Sequence, residues 1–97
     1  MAEPPAKKEV KVAFPESLRG GVYSNNMVIA HTREEFILDF MMIAPPIGVV
    51  AARVITSPGH MKRMLSALKM NLEKYEAKYG RLAEATEPPS HQIGFHP

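Results

Sequence analysis

Apolar positions along this chain change their spacing in a readable order. "VYSNNMVIAH" (22–31) alternates imperfectly and carries strand formers at both ends, which predicts a first strand. "EEFILDFMMI" (34–43) follows a short polar break and predicts a second. Its Glu34, Glu35, Phe36, Leu38 and Met41 also suit a helix, since acids favour a helix N-terminus. The β-branched partner segment and the short turns favour a strand. "APPIG" (44–48) is a breaker, because two prolines remove backbone donors and Gly48 frees the chain. "VVAARVIT" (49–56) predicts a third strand. In "SPGH" (57–60), Ser57 can cap a helix and Pro58 suits its first position. From there Met61, Met64, Leu65, Leu68, Leu72, Tyr75 and Tyr79 recur at steps of three and four, up to a stop at Gly80. "EVKVAF" (9–14) is compatible with an added edge strand before Pro15.

The expected fold is therefore α+β: an antiparallel meander of three or four strands, then one long C-terminal helix packed on one sheet face. A hairpin across a loop over 44–48 sets Ile43 opposite Val49, Met41 opposite Ala51, Asp39 opposite Arg53 and Ile37 opposite Ile55. The one acid of one strand then meets the one base of the other, a favourable cross-strand pair. Phe36, Leu38, Phe40 and Met42, with Val50, Ala52 and Val54, form the face expected to receive the helix. The other face holds Ile37, Met41, Ile43, Val49, Ala51 and Ile55 around the Asp39–Arg53 pair. A turn at Thr32 and Arg33 adds Val28 to that face and sets Asn26 beside Asp39, whereas an odd-length turn exchanges the faces of the first strand. One helix cannot cover both sides of the sheet. A second apolar face on a small domain marks a contact surface, so Val28, Ile37, Asp39, Met41, Ile43, Val49, Ala51, Arg53 and Ile55 are the expected oligomer interface.

Composition strengthens that expectation. The chain has 97 residues, 45% of them hydrophobic and 23% charged. Its ends are richer in proline and poorer in large apolar groups. Residues 1–21 and 83–97 read as flexible segments, leaving one domain over 22–82. A domain of roughly 60 residues buries only about 60% of its unfolded surface. There is no cysteine, so neither a disulfide nor a thiolate-bound metal can supplement the core. Self-association is the remaining source of stability. No apolar leader precedes the domain, and no run approaches the ~18 apolar residues that span a bilayer. These features suggest a cytoplasmic protein without a membrane partner.

Candidate chemistry is sparse. An isolated Asp39–Arg53 pair lacks the second acid, histidine or nucleophile that catalysis needs at matching spacing. His31, His60, His91 and His96 are scattered where zinc usually requires closely spaced ligands. No catalytic residue, metal ligand or cofactor-binding residue is expected. Net charge is +2, short of a basic footprint that demands nucleic acid. The helix nevertheless concentrates Lys62, Arg63, Lys69 and Lys74, so an anion or nucleic-acid contact there is the alternative. The methionines raise a third reading, chaperone-like binding of apolar segments by an adaptable surface.

One resemblance adds to this. Tyr23 and Asn25 open a strand, and Glu34-Glu35-Phe36 precedes Asp39-Phe40. Ala52-Arg53-Val54, Ser57-Pro58 with His60, and Glu73-Lys74-Tyr75-Glu76 before Gly80 then follow in order. The combination resembles a family of small bacterial proteins catalogued only as a domain of unknown function. The resemblance implies a bacterial, cytoplasmic protein and adds no catalytic residue. The leading expectation is a non-enzymatic, oligomeric interaction or adaptor protein.

Overall fold

The structure is a computed structural model that describes residues 9–86 and residue 94. A short 3-10 turn, Glu16–Leu18, precedes three strands and a helix. The strands are β1 (Asn26–His31), β2 (Phe36–Ala44) and β3 (Ile47–Thr56), and the helix is α1 (Pro58–Tyr79). The strands form one antiparallel meander in the order β1-β2-β3. The α+β class and the sequence of elements agree with the apolar pattern. The segment over 34–43 is a strand from Phe36 onward, not a helix. Residues 9–14 form no strand and are exposed. The tail expected over 83–97 falls mostly outside the described residues.

Both connections differ from expectation, for local reasons. Thr32 Oγ1 accepts the backbone N–H groups of Glu34 and Glu35, and the Thr32 N–H donates to the Glu35 carbonyl at 2.9 Å. The turn therefore runs from Thr32 to Glu35, longer than a turn at Thr32 and Arg33. Val28, rather than Asn26, is the neighbour of Asp39, and Asn26 opposes Met41. The change is even, so β1 keeps its faces.

The second connection is tighter than expected. Pro45 and Pro46, joined by a cis peptide bond, form the whole turn, and Ala44 already opposes Ile47. Prolines in the turn need supply no ladder donor. Gly48 lies within β3 opposite Ile43, where an added Cβ would sit 3.1 Å from Ile43 Cγ1. A bulge between Phe40 and Met41 reconciles this tight turn with the rest of the ladder. Met41 consequently opposes Val50, Met42 opposes Val49 and Ile43 opposes Gly48. Val49 thus moves to the opposite face from Asp39, Val50 takes its place, and Ala51 is left without a partner.

Asn25 extends β1 by imitating a backbone. Its N–H donates to the Met41 carbonyl at 3.1 Å. Its side-chain amide then donates to the Ile43 carbonyl and accepts the Ile43 N–H, both at 2.8 Å. One side chain satisfies both backbone groups of Ile43, two residues further along β2.

The helix forms where the pattern places it. The Ser57 hydroxyl accepts the His60 N–H at 3.2 Å, and Pro58 occupies the first turn. Gly80 ends the helix at φ 98°, a backbone region that favours glycine. Its N–H donates to the Glu76 carbonyl at 2.9 Å, and Glu76 Oε2 accepts the Leu82 N–H at 2.8 Å. The expected packing of this helix on the sheet is not found. Leu65, Leu68, Leu72, Tyr75 and Tyr79 are all exposed. Contacts between elements concentrate within the sheet, and the molecule is elongated, 65 × 37 × 33 Å. The caps at Ser57 and Gly80 close the helix ends locally, whatever lies against its apolar stripe.

Candidate functional site

The centre of the sheet is built around Asp39. Among the described residues, Leu38 and Met41 are the only buried apolar side chains, each 4% exposed, and Asp39 is the only buried charged residue, 6% exposed. Strand alternation sets Asp39 and Met41 on one face and Leu38 on the other. Arg53, directly opposite on β3, makes a two-pronged ion pair: Nε donates to Oδ1 at 2.6 Å and Nη2 to Oδ2 at 2.9 Å. Planar guanidinium and carboxylate match in this arrangement. These hydrogen bonds hold the Asp39 carboxyl below its usual range, against the upward push of desolvation, and the nearby positive charge adds to them. The same bonds raise the Arg53 guanidinium further.

The two charges of the pair satisfy each other. Among the described residues no buried side-chain polar atom lacks a partner. The Arg53 side chain is 59% exposed, against 8% for that of Asp39. The cluster therefore fixes β2 against β3 and marks the middle of a face.

That face joins Val28, Ile37, Asp39, Met41 and Ile43 with Val50, Arg53 and Ile55. Val28, Ile37 and Ile43 are half-buried, and Ile55 is exposed. The register places Val28, Ile37, Asp39, Met41, Arg53 and Ile55 together as the sequence suggests. It separates Val49 from them, and Ala51 is the extra residue of the bulge. Val50 was assigned to the other face because nothing in the sequence marks the bulge. The opposite face is no better covered: Ile29 and Val54, which flank buried Leu38, are both exposed.

The helix also carries an uncovered apolar surface. Met61, Leu65, Leu68, Leu72, Tyr75 and Tyr79 recur at alternating steps of four and three, and from Leu65 onward each is exposed. The Tyr75 and Tyr79 rings lie 4.9 Å apart, and Lys78 Nζ stands 5.2 Å from the Tyr79 ring centre. Sequence reasoning assigned this stripe to the core because an amphipathic helix beside an apolar sheet ordinarily covers it.

The basic groups lie mainly elsewhere on the helix. Lys62 and Arg63, with Ser66, Ala67 and Met70, line a shallow open depression. Lys69 and Lys74 are exposed and do not line it. Arg63 Nη2 donates to His60 Nδ1 at 3.1 Å. His31 rests against Phe36, with ring centres 5.5 Å apart. Among the described residues no histidine, cysteine or carboxylate cluster is arranged for a metal, and no helix is long and apolar enough to cross a membrane.

A family model described as "Protein of unknown function (DUF3467)" matches residues 1–84. No curated protein and no solved structure matches the chain.

Proposed function

The chain belongs to this family of proteins of unknown function, and from that premise we propose that it is a non-enzymatic, self-associating interaction protein whose working form is a homo-oligomer. One observation carries the reading: among the described residues only Leu38 and Met41 are buried apolar groups, while the helix stripe and much of both sheet faces are open. So small a buried core cannot offset the conformational entropy of ordering the chain. A second copy supplies the missing cover without a cofactor. The assembled surface would then serve as an adaptor for further partners.

Folding and association are coupled in this reading, so the thermal midpoint of the full chain rises with protein concentration. A sharp transition whose midpoint does not move over a hundredfold dilution would remove the basis for it.

The depression lined by Lys62 and Arg63 supports a second reading, contact with nucleic acid through the helix. Its test is a mobility-shift titration at low salt, where phosphate contacts are strongest. Absence of retardation there counts against it.

A further inference from the structure

The width and spacing of the exposed helix stripe identify what covers it. A helix that covers a sheet presents an apolar surface about 100° wide or more, whereas a strict seam repeating every 3.5 residues is narrower and fits another helix. In α1 the seam is Met61, Leu65, Leu68, Leu72, Tyr75 and Tyr79. Most positions flanking it are polar: Lys62, Lys69 and Glu76 on one side, and Asn71 and Lys78, with Met64, on the other. We propose that α1 pairs with α1 of a second copy, antiparallel, along this seam. The proposal rests on the self-association reading above and names its surface and orientation.

Orientation follows from the charges. In an antiparallel pair the seam residues oppose one another as Met61 with Tyr79, Leu65 with Tyr75, and Leu68 with Leu72, each layer repeated by symmetry. Large tyrosines then meet methionine and leucine rather than each other. Each flank faces its own counterpart in this arrangement, so Lys62 of each helix meets Glu76 of the other, giving two attractive pairs. Asn71 meets its own copy, and two amides can exchange hydrogen bonds. Lys69 also meets its own copy, the one repulsive contact. A parallel, in-register pair would set Lys69 beside Met64 and Glu76 beside Asn71, with no charge attraction. It would also align the two helix dipoles, which favours the antiparallel choice further. Glu76 Oε2 is engaged by the Leu82 N–H, and its other oxygen remains free for Lys62.

The chain contains no cysteine, so single cysteines report neighbours cleanly. The experiment is oxidative cross-linking of two full-length variants, beside sedimentation of the unmodified chain. Lys69→Cys is expected to form a covalent dimer and Met61→Cys to remain uncross-linked. The reverse outcome means a parallel pair and overturns the proposal. A sedimenting dimer in which neither variant cross-links means that another surface, such as the sheet, is the interface. That also overturns it while leaving self-association intact. A folded monomer removes both readings. Charge exchange gives a second measurement: Glu76→Lys weakens association by about tenfold, and adding Lys62→Glu restores it. Failure of the double exchange to restore association contradicts the proposed pairing.

Discussion

The sheet and the helix answer the same problem, an apolar surface to cover, in different ways. The sheet covers its centre with its own chain. Leu38 and Met41 are enclosed, Asp39 is paired by Arg53, and the Asn25 amide completes the β2 ladder. The helix is completed only along its backbone. Its ends are closed by Ser57 and Gly80, while Leu65, Leu68 and Leu72 remain open. Local hydrogen bonding can therefore be finished within one chain when side-chain burial is not. The difference separates what the chain fixes alone from what, in the proposed assembly, a second copy supplies.

Truncating one of the two buried apolar side chains breaks the comparison most severely. Leu38→Ala is expected to cost about 2–3 kcal/mol, the lower part of the range for such losses, because its neighbours Ile29 and Val54 are exposed. Leu68→Ala should instead leave the sheet's packing intact and weaken association, so the protein concentration needed to hold the folded state rises. Sedimentation and denaturant titration of both variants over a range of concentrations check this. A Leu68→Ala chain that associates as tightly as the unmodified one would show that the helix stripe is not the contact.

Asn25→Ala removes two hydrogen bonds to the Ile43 backbone and should cost about 1–2 kcal/mol. Amide exchange should quicken at Ile43 before it does along α1. Ser57→Ala removes the helix cap and should cost about 1 kcal/mol. Its loss should appear in helical circular dichroism and spare the β1–β2 ladder. A matching loss in both elements would mean that the two regions unfold as one unit.

The smallest effect concerns pH. Arg53 holds the Asp39 carboxyl below its ordinary range. Its stabilising contribution is full above the ordinary carboxylate pKa and fades as pH falls through the lower, folded value. Arg53→Met removes this contribution and leaves desolvation, which pushes the carboxyl up, so this part of the acid loss should disappear or reverse. An unchanged acid limb would show that the pair does not couple to stability.

Much of this was legible in the sequence. Helix ends were readable because Ser57, Pro58 and Gly80 act on backbone groups within a turn of themselves. The Asp39–Arg53 pairing was readable even though the expected loop was too long, because the bulge restores that register. Val49 and Val50 exchanged faces because a bulge leaves no composition signal. The β1 register depended on the Thr32 hydroxyl accepting two N–H groups, which the residue type permits but does not require. The uncovered stripe was the hardest to anticipate. Apolar periodicity shows that a face must be buried, but not by which chain, and only the polar flanks of the seam distinguish a helix partner from a sheet.

Sedimentation equilibrium of the full chain at micromolar concentration tests the central claim most directly. A species of twice the 10.8 kDa chain mass is expected, dissociating with loss of native structure on dilution. A natively folded monomer that persists at every concentration would contradict it.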